Sequence, residues 1–328
     1  MSSAAIEGHD GSAIRVTTGS RLHFGLFDVK PPFGGVGLMV DHPRTRIVVD
    51  TADSFEVRPC HVDRIAEIAS RVAQRLPIAM TTAGMPNCKV IVESAADPHR
   101  GLGSGTQLAL ATALAMSEFF SLKLSRQQLV QEVSLRGRRS SIGSIGFFEG
   151  GLIAENGRDR SYQPCSGWRQ QILPEAWRIV LASPPVDAVG VSGEAEGAAF
   201  AALAPASREH RAELVRLSEE MMRASEAADF DAFSALVAKF NARSGELFAA
   251  HQGGCFNGEA VRTLVDRIMA LGVRGVGQSS WGPTVFALCE NEIAATRLSQ
   301  SLDDIHCRVV KPQSAGYELS RSPSTSCK

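Results

Sequence analysis

The segment HRGLGSGTQ (residues 99–107) joins a predicted strand to a predicted helix through a turn of small residues. Residues 88–93 (CKVIVE) before it are rich in β-branched side chains and predict a strand. The apolar run that follows predicts a helix over about 105–120. Glycines at the start of a helix leave main-chain NH groups open to an anion, and those groups carry the positive end of the helix dipole. The segment therefore predicts a phosphate-binding turn, with a glycine-rich connection that binds nothing as the alternative.

The turn fits neither of two common nucleotide-binding motifs. It has no GxxxxGK[ST] pattern, so it is not a Walker loop, and its glycines alternate rather than follow GxGxxG. Hydroxyls and positive charge beside the glycines add to its capacity to bind an anion. The residues that we predict to bind phosphate here are Arg100, Gly101, Gly103, Ser104, Gly105, Thr106 and Gln107. For Gln107, one turn into the helix, a position facing solvent is an equal alternative.

Composition excludes several classes of protein. The chain has 328 residues, with 34 Lys and Arg against 35 Asp and Glu, which is a formal net charge of −1. Hydrophobic residues make up 44% and charged residues 21%, as in ordinary globular proteins. The near-neutral charge argues against a nucleic acid or a membrane surface as the partner. The seven cysteines are dispersed without a CxxC pair, and the first residues lack the apolar run of a signal peptide, so we expect a soluble, cytoplasmic protein.

Residue periodicity divides the chain into two lobes with no long linker between them. The first half predicts short strands and several helices, and the second half predicts long amphipathic helices followed by a strand–helix–strand unit like a split βαβ. The predicted strands are 14–18, 22–27, 36–40, 45–50, 88–93, 151–155, 178–182 and 306–311, and the predicted helices are 62–76, 105–120, 125–136, 207–227, 229–250, 258–271 and 291–302. We therefore predict an α/β (α+β) fold with a flexible start (1–13), a first lobe (14–175), a second lobe (176–319) that shares an interface with it, and a frayed tail (320–328).

Four segments together resemble one known family. They are SRLHFGLFD (20–28), GLGSGTQLALATA (101–113), GRRSSIG (137–143) and GVGQSSWGPT (275–284). The chain resembles the GHMP (galactokinase, homoserine, mevalonate and phosphomevalonate kinase) superfamily over roughly residues 14–312. Within it, the first and last segments are similar to those of the β-ribofuranosylaminobenzene 5′-phosphate synthases, also described as β-ribofuranosylphenol 5′-phosphate synthases.

The resemblance implies a fold, an activity and partners. The fold is a two-lobed arrangement with an S5-like N-terminal lobe and a ferredoxin-like C-terminal lobe. The activity is a pentosyl transfer in tetrahydromethanopterin biosynthesis. In it, phosphoribosyl pyrophosphate condenses with 4-aminobenzoate or 4-hydroxybenzoate, releases CO₂ and pyrophosphate, and forms a C-riboside 5′-phosphate. A homodimer is the family expectation, and Mg²⁺ is expected to bridge the pyrophosphate oxygens. An ATP-dependent small-molecule kinase and a sensor that binds a phosphate ligand without turnover remain alternatives.

One departure from the kinases bears on the reaction. Kinases of this superfamily that use a catalytic aspartate carry it in a segment like SGID ahead of a Gly-Gly strand. The corresponding stretch here is SSIG (residues 140–143), so Gly143 stands where the aspartate would be. No carboxylate can take a hydroxyl proton at that position, which argues against ordinary phosphoryl transfer.

Two groups of basic residues outside the turn are candidates for the site. Arg21 and His23 occupy alternate positions of one predicted strand, so they share a face and are predicted to be catalytic. A surface charge and a packed histidine are the alternatives. Arg138 is predicted to bind phosphate and Arg139 to be catalytic, with favourable cations at a helix C terminus as the alternative.

The last candidates close the site and supply a metal. Ser279, Ser280 and Trp281 are predicted to cover a phosphate and to stack on the aromatic acid, with a tight turn around a packed indole as the alternative. Asp28 and Glu132 are predicted Mg²⁺ ligands. Asp28 starting a loop is an equal alternative for that residue.

Overall fold

One long hairpin organises the molecule. In the computed structural model, which describes residues 12–157, 167–184 and 193–324, strand β1 (Ser12–Leu26) pairs antiparallel with β2 (Gly35–Asp50). The sequence predicts four short strands over this stretch. The structure has two long ones instead, with irregular register between Thr18 and Ser20 and between His23 and Gly25. Irregular pairing of this kind interrupts the alternation of apolar and polar residues, which explains the predicted breaks.

The first sheet has seven described strands. Besides β1 and β2 they are β3 (Glu56–Arg58), β6 (Lys89–Ser94), β7 (Leu152–Glu155), β8 (Trp168–Gln171) and β13 (Glu318–Pro323), while β4 (Thr81–Thr82) and β5 (Met85–Pro86) form a separate small hairpin. The strand order is β13-β1-β2-β6-β3, with β7 paired to β2 and to β8. The prediction of a frayed tail from residue 320 is wrong as far as 323, because β13 pairs with the start of β1. The remaining residues of that tail (325–328), and residues 1–11 of the predicted flexible start, lie outside the described part of the chain.

Helices cover one face of this sheet. They are α1 (Val62–Ala73), α2 (Ser104–Phe119) and α3 (Ile142–Glu149), with a 3₁₀ turn at Ile78–Met80 and a π-helical segment at Gln128–Val133. α2 agrees with the predicted helix to within one residue and is buried along most of its length. The predicted helix over 125–136 is shortened to the π-helical segment. Its bonding is wider than that of an α-helix, since Ser134 N donates to Leu129 O.

The second lobe contains a four-stranded sheet of β9 (Arg178–Ser183), β10 (Val276–Gln278), β11 (Val285–Cys289) and β12 (His306–Val310). The strand order is β10-β11-β9-β12. Its helices are α4 (Gly193–Ala202), α5 (Arg208–Glu226), α6 (Phe230–Gly245), α7 (Ala249–Gln252), α8 (Gly258–Ala270) and α9 (Glu292–Ser301), with a 3₁₀ turn at Glu246–Phe248. Because β11 and β12 both run antiparallel to β9 and α9 connects them, the predicted split βαβ unit is confirmed.

The two lobes share an apolar core. Phe24 of β1 packs on Phe286 of β11 with ring centroids 5.0 Å apart, and Phe27 meets Phe240 of α6 edge-on at 5.9 Å. The same cluster takes in side chains of α5 and β9. The end of β1 is thereby held between the lobes, next to the point where α2 begins. None of the described helices is long and apolar enough to cross a membrane.

Candidate active site

A cavity of about 570 Å³ opens at the start of α2, where the first lobe meets residues 280–282 of the second. Its volume is in the range of small-molecule sites. The described residues that line it carry no carboxylate, but five arginines and two histidines. These are Arg21, Arg64, Arg136, Arg138, Arg139, His23 and His99. A cavity with this lining attracts a polyanion.

The glycine turn lies on the wall of the cavity and offers main-chain donors. Gly103 caps α2 with a left-handed backbone (φ 69°), which a residue with a Cβ adopts only with strain. Thr106 N and Gln107 N donate back to Gly103 O at 2.9 and 3.1 Å. Ser104 N and Gly105 N, the first two amides of the helix, have no acceptor within the described ranges. The turn therefore presents two NH groups at the positive end of α2.

The turn is fixed by backbone contacts. Arg21 N donates to Leu102 O at 2.9 Å, and Ser279 Oγ donates to Gly101 O at 2.7 Å. A Cβ on Gly101 would lie 2.2 Å from Ser279 O, so only glycine permits this approach. His23 N donates to Ser279 Oγ at 3.0 Å. The fully buried Ser279 hydroxyl thus joins β1 to the turn, and the prediction that it binds phosphate is replaced by a positioning role.

Two further residues of the predicted phosphate site take other places. Gln107 is buried, with its Oε1 accepting from Thr18 Oγ1 and its Nε2 donating to Gly143 O, both at 2.9 Å. Because both ends of its amide are used, Gln107 links three elements instead of binding a ligand. Arg100 does not line the cavity, whereas its neighbour His99, with a left-handed backbone, does.

Arg21 stands between the turn and the position of the missing aspartate. Its Nε lies 3.1 Å from where a Cβ on Gly103 would be, and 3.7 Å from where a Cβ on Gly143 would be. The arginine therefore lies beside the position that a carboxylate side chain at 143 would take. Arg64 of α1 lies against the turn from the other side, with Nη1 2.5 Å from the Cβ position of Gly105. No sequence motif indicates Arg64, because only the packing of α1 on α2 brings it to the turn.

His23 is a buried, neutral imidazole in the wall of the cavity. Its Nε2 lies 3.2 Å from Ser140 Oγ. Burial lowers the pKa of His23 well below its ordinary value, and the charge of Arg21 lowers that pKa further. At neutral pH, His23 therefore forms its hydrogen bond as a neutral ring and adds no charge to the cavity. Ser140, which the sequence does not indicate, fixes the orientation of the ring.

The pKa of His23 makes the stability of the fold depend on pH. An unfolded histidine titrates near 6.5, whereas the folded one takes up a proton only at lower pH. Between these values the unfolded chain binds more protons, so we expect the free energy of unfolding to fall as pH falls below about 6.5. The loss approaches about 1.4 kcal/mol per pH unit at most. Urea unfolding of wild type and His23→Gln from pH 8 to 5 checks this. The free energy of unfolding should change less steeply with pH in the variant than in wild type, and equal pH dependence of the two proteins would contradict the prediction.

An aromatic wall faces the arginines. Trp281 is buried and packs edge-on against Phe248 and His251, with ring centroids 5.0 and 5.2 Å away, and near Phe200. The guanidinium of Arg139 lies over the ring of Phe200, with its Cζ 4.3 Å from the ring centroid. Trp281 and Phe200 both line the cavity. The indole is therefore packed, as one alternative predicted, and forms cavity wall as well.

The remaining predicted residues divide between the cavity and the surface. The cavity is also lined by Ser104, Gly105, Thr106, Arg138 and Ser280, which the sequence predicts to bind phosphate or substrate, and Arg138 and Ser280 are exposed at its mouth. The main chain of Ser280 is engaged, since its N donates to His23 O and its O accepts from Gln278 Nε2.

The two predicted metal ligands do not come together. Asp28 Oδ1 accepts from Lys30 N at 3.0 Å and from Ala206 N at 3.1 Å, so it orders a loop. Glu132 pairs with Arg75 on the surface at 2.8 Å. Neither lines the cavity, and no cluster of three His, Cys, Asp or Glu side chains that could hold a metal occurs in the described residues. The side chains present therefore do not fit a magnesium ion held by protein carboxylates.

We expect Glu132→Gln to leave turnover and its dependence on Mg²⁺ unchanged within twofold, because this carboxylate faces Arg75 rather than the cavity. A Mg²⁺ titration of initial rates, with wild type in parallel, checks this. A rise in the Mg²⁺ concentration needed for half-maximal rate would return Glu132 to the site.

Comparisons with known proteins identify relatives over nearly the whole chain. The model of the GHMP kinases N-terminal domain matches residues 63–147, and that of the GHMP kinases C-terminal domain matches residues 221–307. The chain is 30% identical over 337 aligned residues to the β-ribofuranosylphenol 5′-phosphate synthase of Archaeoglobus fulgidus, covering 93% of this chain and 99% of that protein. It is 28% identical over 307 residues to the enzyme of that name from Methanothermobacter thermautotrophicus, covering 84% and 89%.

Solved structures confirm the two-lobed GHMP fold. The homoserine kinase of Cytophaga hutchinsonii superposes with a TM-score of 0.67, covering 98% of this chain and 99% of that one. The mevalonate pyrophosphate decarboxylase of Streptococcus pyogenes superposes with a TM-score of 0.68, covering 94% and 99%. Both are 14% identical, so they carry the fold and no statement about the reaction.

Proposed function

The chain belongs to the β-ribofuranosylphenol 5′-phosphate synthase family of the GHMP kinase superfamily, and we propose that it is a pentosyltransferase acting on phosphoribosyl pyrophosphate. The second substrate is 4-aminobenzoate or 4-hydroxybenzoate, and the products are CO₂, pyrophosphate and a C-riboside 5′-phosphate for tetrahydromethanopterin biosynthesis. The observation that supports this most strongly is the cavity around the glycine turn, whose described lining is cationic and free of carboxylates.

The turn is suited to the leaving group. Ser104 N and Gly105 N at the start of α2, with Arg21 beside them, are preorganised donors for the charge that gathers on the pyrophosphate as its bond to ribose C1 breaks. Stabilising a departing polyanion requires no base. The lack of a carboxylate at Gly143 therefore removes nothing that this reaction needs, whereas transfer of a phosphoryl group to a hydroxyl usually uses one.

The aromatic wall is suited to the second substrate. A carboxylated ring that stacks on Trp281 and Phe200 can place its carboxylate near Arg139. The ring carbon that bears the carboxylate supplies the electron pair for the new bond to C1, and the electrons of the breaking C–CO₂ bond restore the aromatic ring. Pyrophosphate leaves with the electrons of its own bond, so atoms and charges balance without a redox partner. Buried His23 adds no charge beside the ring, because burial and the charge of Arg21 lower its pKa.

Magnesium and the dimer are parts of the proposal that the residues do not specify. We propose that Mg²⁺ reaches the cavity bound to the pyrophosphate, since the arginines and not carboxylates surround the turn. We propose a homodimer on the family resemblance alone. Light scattering would give about twice the chain mass of 35.0 kDa if that is correct.

A carboxyl-release assay tests the reaction. Purified protein is incubated with Mg²⁺, phosphoribosyl pyrophosphate and either acid labelled in its carboxyl group, and released CO₂ and pyrophosphate are counted. We expect equal amounts of both, dependent on phosphoribosyl pyrophosphate. ADP formation from ATP and an alcohol without CO₂ release would indicate a kinase. Ligand-dependent shifts in melting temperature without any product would indicate a sensor.

We expect Gly143→Asp to lower CO₂ release at least tenfold and to add no kinase activity. The structure has room for the new Cβ, which would lie 3.4 Å from Thr106 Cγ2 and 3.7 Å from Arg21 Nε. The carboxylate then pairs with Arg21 and repels the pyrophosphate. Gly143→Ala is the matched control and should stay near wild type. An active Gly143→Asp variant would show that Arg21 does not act on the pyrophosphate.

A further inference from the structure

A second cationic groove adjoins the cavity and is not used by the reaction described above. It has a volume of about 310 Å³ and lies between α1 and the segment 134–138. Four arginines line it, together with one carboxylate, Glu67, among the described residues. The arginines are Arg64, Arg71, Arg136 and Arg138.

The groove and the cavity form one continuous surface. Arg64, Leu135, Arg136 and Arg138 line both. The groove wall is held in place by the main chain. Arg71 Nε donates to Val133 O at 2.6 Å, and Arg136 N donates to Val130 O at 2.8 Å. Arginines on a fixed wall bind a phosphate through paired donors.

We infer that this groove is a separate subsite for the 5′-phosphate of the ribosyl substrate. The inference rests on the proposed function, because a sugar with a diphosphate at C1 and a phosphate at C5 has two anionic ends. The end that leaves must lie where the aromatic acid reaches C1, which is the turn between Arg21 and the wall of Trp281. The other end is several bonds away and does not react. The groove on the α1 side of the turn is where that end meets Arg71 together with the three arginines that the groove shares with the cavity.

With two anion subsites, each of the two fragments of the substrate binds at its own subsite. Ribose 5-phosphate carries only the phosphate monoester, and pyrophosphate carries only the leaving group. If the subsites are distinct, a change of charge in the groove alters the affinity for ribose 5-phosphate and leaves that for pyrophosphate nearly constant. Glu67 is the residue at which to change the charge of the groove, because it lines the groove but not the cavity.

Calorimetry with ribose 5-phosphate and with pyrophosphate tests the inference. We expect Glu67→Gln to bind ribose 5-phosphate roughly two- to fivefold more tightly, because a like charge is removed from the groove, and to bind pyrophosphate within twofold of wild type. A gain in affinity cannot arise from misfolding. The matched control is Glu220→Gln, which makes the same change of net charge in a surface pair with Arg216 on α5, and it should change neither affinity.

Loss of an arginine gives the opposite result. Arg138→Met removes an exposed side chain. It should weaken the affinity for ribose 5-phosphate about tenfold and change the affinity for pyrophosphate less than threefold. Arg216→Met is its control. Arg21→Met should show the reverse selectivity and weaken pyrophosphate more than ribose 5-phosphate.

Three results would overturn the inference: no binding of ribose 5-phosphate to wild type, equal effects of Glu67→Gln and Glu220→Gln, or equal weakening of both ligands by Arg138→Met. The failure of the proposed reaction looks different. In that case the labelled acids release no CO₂, yet ribose 5-phosphate still binds with the stated dependence on Glu67 and Arg138.

Discussion

Gly105→Val is expected to bind phosphoribosyl pyrophosphate at least about a hundredfold more weakly than wild type, a loss of roughly 2.7 kcal/mol. The residue lies in the first turn of α2, and its amide is one of the two at the start of that helix for which the described residues supply no acceptor. A branched side chain there stands over both amides and displaces Arg64, whose Nη1 is 2.5 Å from the new Cβ. Isothermal calorimetry with an excess of ligand measures the change.

The controls for Gly105→Val separate binding from folding. Gly105→Ala, which adds only the Cβ, should fall between the variant and wild type, because the Arg64 side chain can move aside. Ser104→Ala should weaken the affinity for phosphoribosyl pyrophosphate less than about tenfold, because the proposed donors belong to the main chain. Melting temperatures within about 5 °C of wild type would show that the fold is intact. Unchanged affinity in both Gly105→Val and Ser104→Ala would remove the turn from the site.

Arg21→Met is expected to lower kcat roughly 100- to 1,000-fold, because Arg21 is the arginine that lies between the glycine turn and Gly143. Its positive charge matters most when the pyrophosphate departs, so kcat should fall more than the affinity for substrate. Steady-state rates of CO₂ release give kcat, and isothermal calorimetry gives the affinity. Arg21→Lys keeps the charge without the forked donors and should recover part of the rate.

A second measurement distinguishes this role from a structural one. Because Arg21 contributes to the low pKa of His23, its loss should raise that pKa towards, but not up to, the ordinary value, since burial is the larger cause. An NMR titration of the imidazole in wild type and in Arg21→Met follows the change. Full activity of Arg21→Met with an unchanged pKa of His23 would show that the arginine serves neither the reaction nor the electrostatics of the site.

Much of the fold follows from local pattern. α2 was predictable to within one residue because an apolar run begins directly after glycines, and both signals are local. α3 was not, because Gly143 and Gly146 interrupt its helical pattern. β13 was not, because it is an exposed edge strand whose polar residues show no alternation.

The site was predictable where a motif marks it and unpredictable where tertiary packing decides. The turn, Arg21, His23, Arg138, Arg139 and Trp281 surround one cavity, as their motifs indicate. The position of Gln107 does not follow from the sequence, because its two partners, Thr18 and Gly143, meet only in the folded chain. Arg64 carries no sequence signal for the same reason. Asp28 and Glu132 illustrate the opposite error, since a carboxylate in a polar segment resembles a metal ligand until its actual partners are known.

A crystal structure of the protein with phosphoribosyl pyrophosphate bound will show whether the glycine turn holds the leaving group. We expect pyrophosphate oxygens about 2.7–3.2 Å from Ser104 N and Gly105 N, with Arg21 beside them. Pyrophosphate bound elsewhere in the cavity, with the start of α2 facing only protein or solvent, would contradict it.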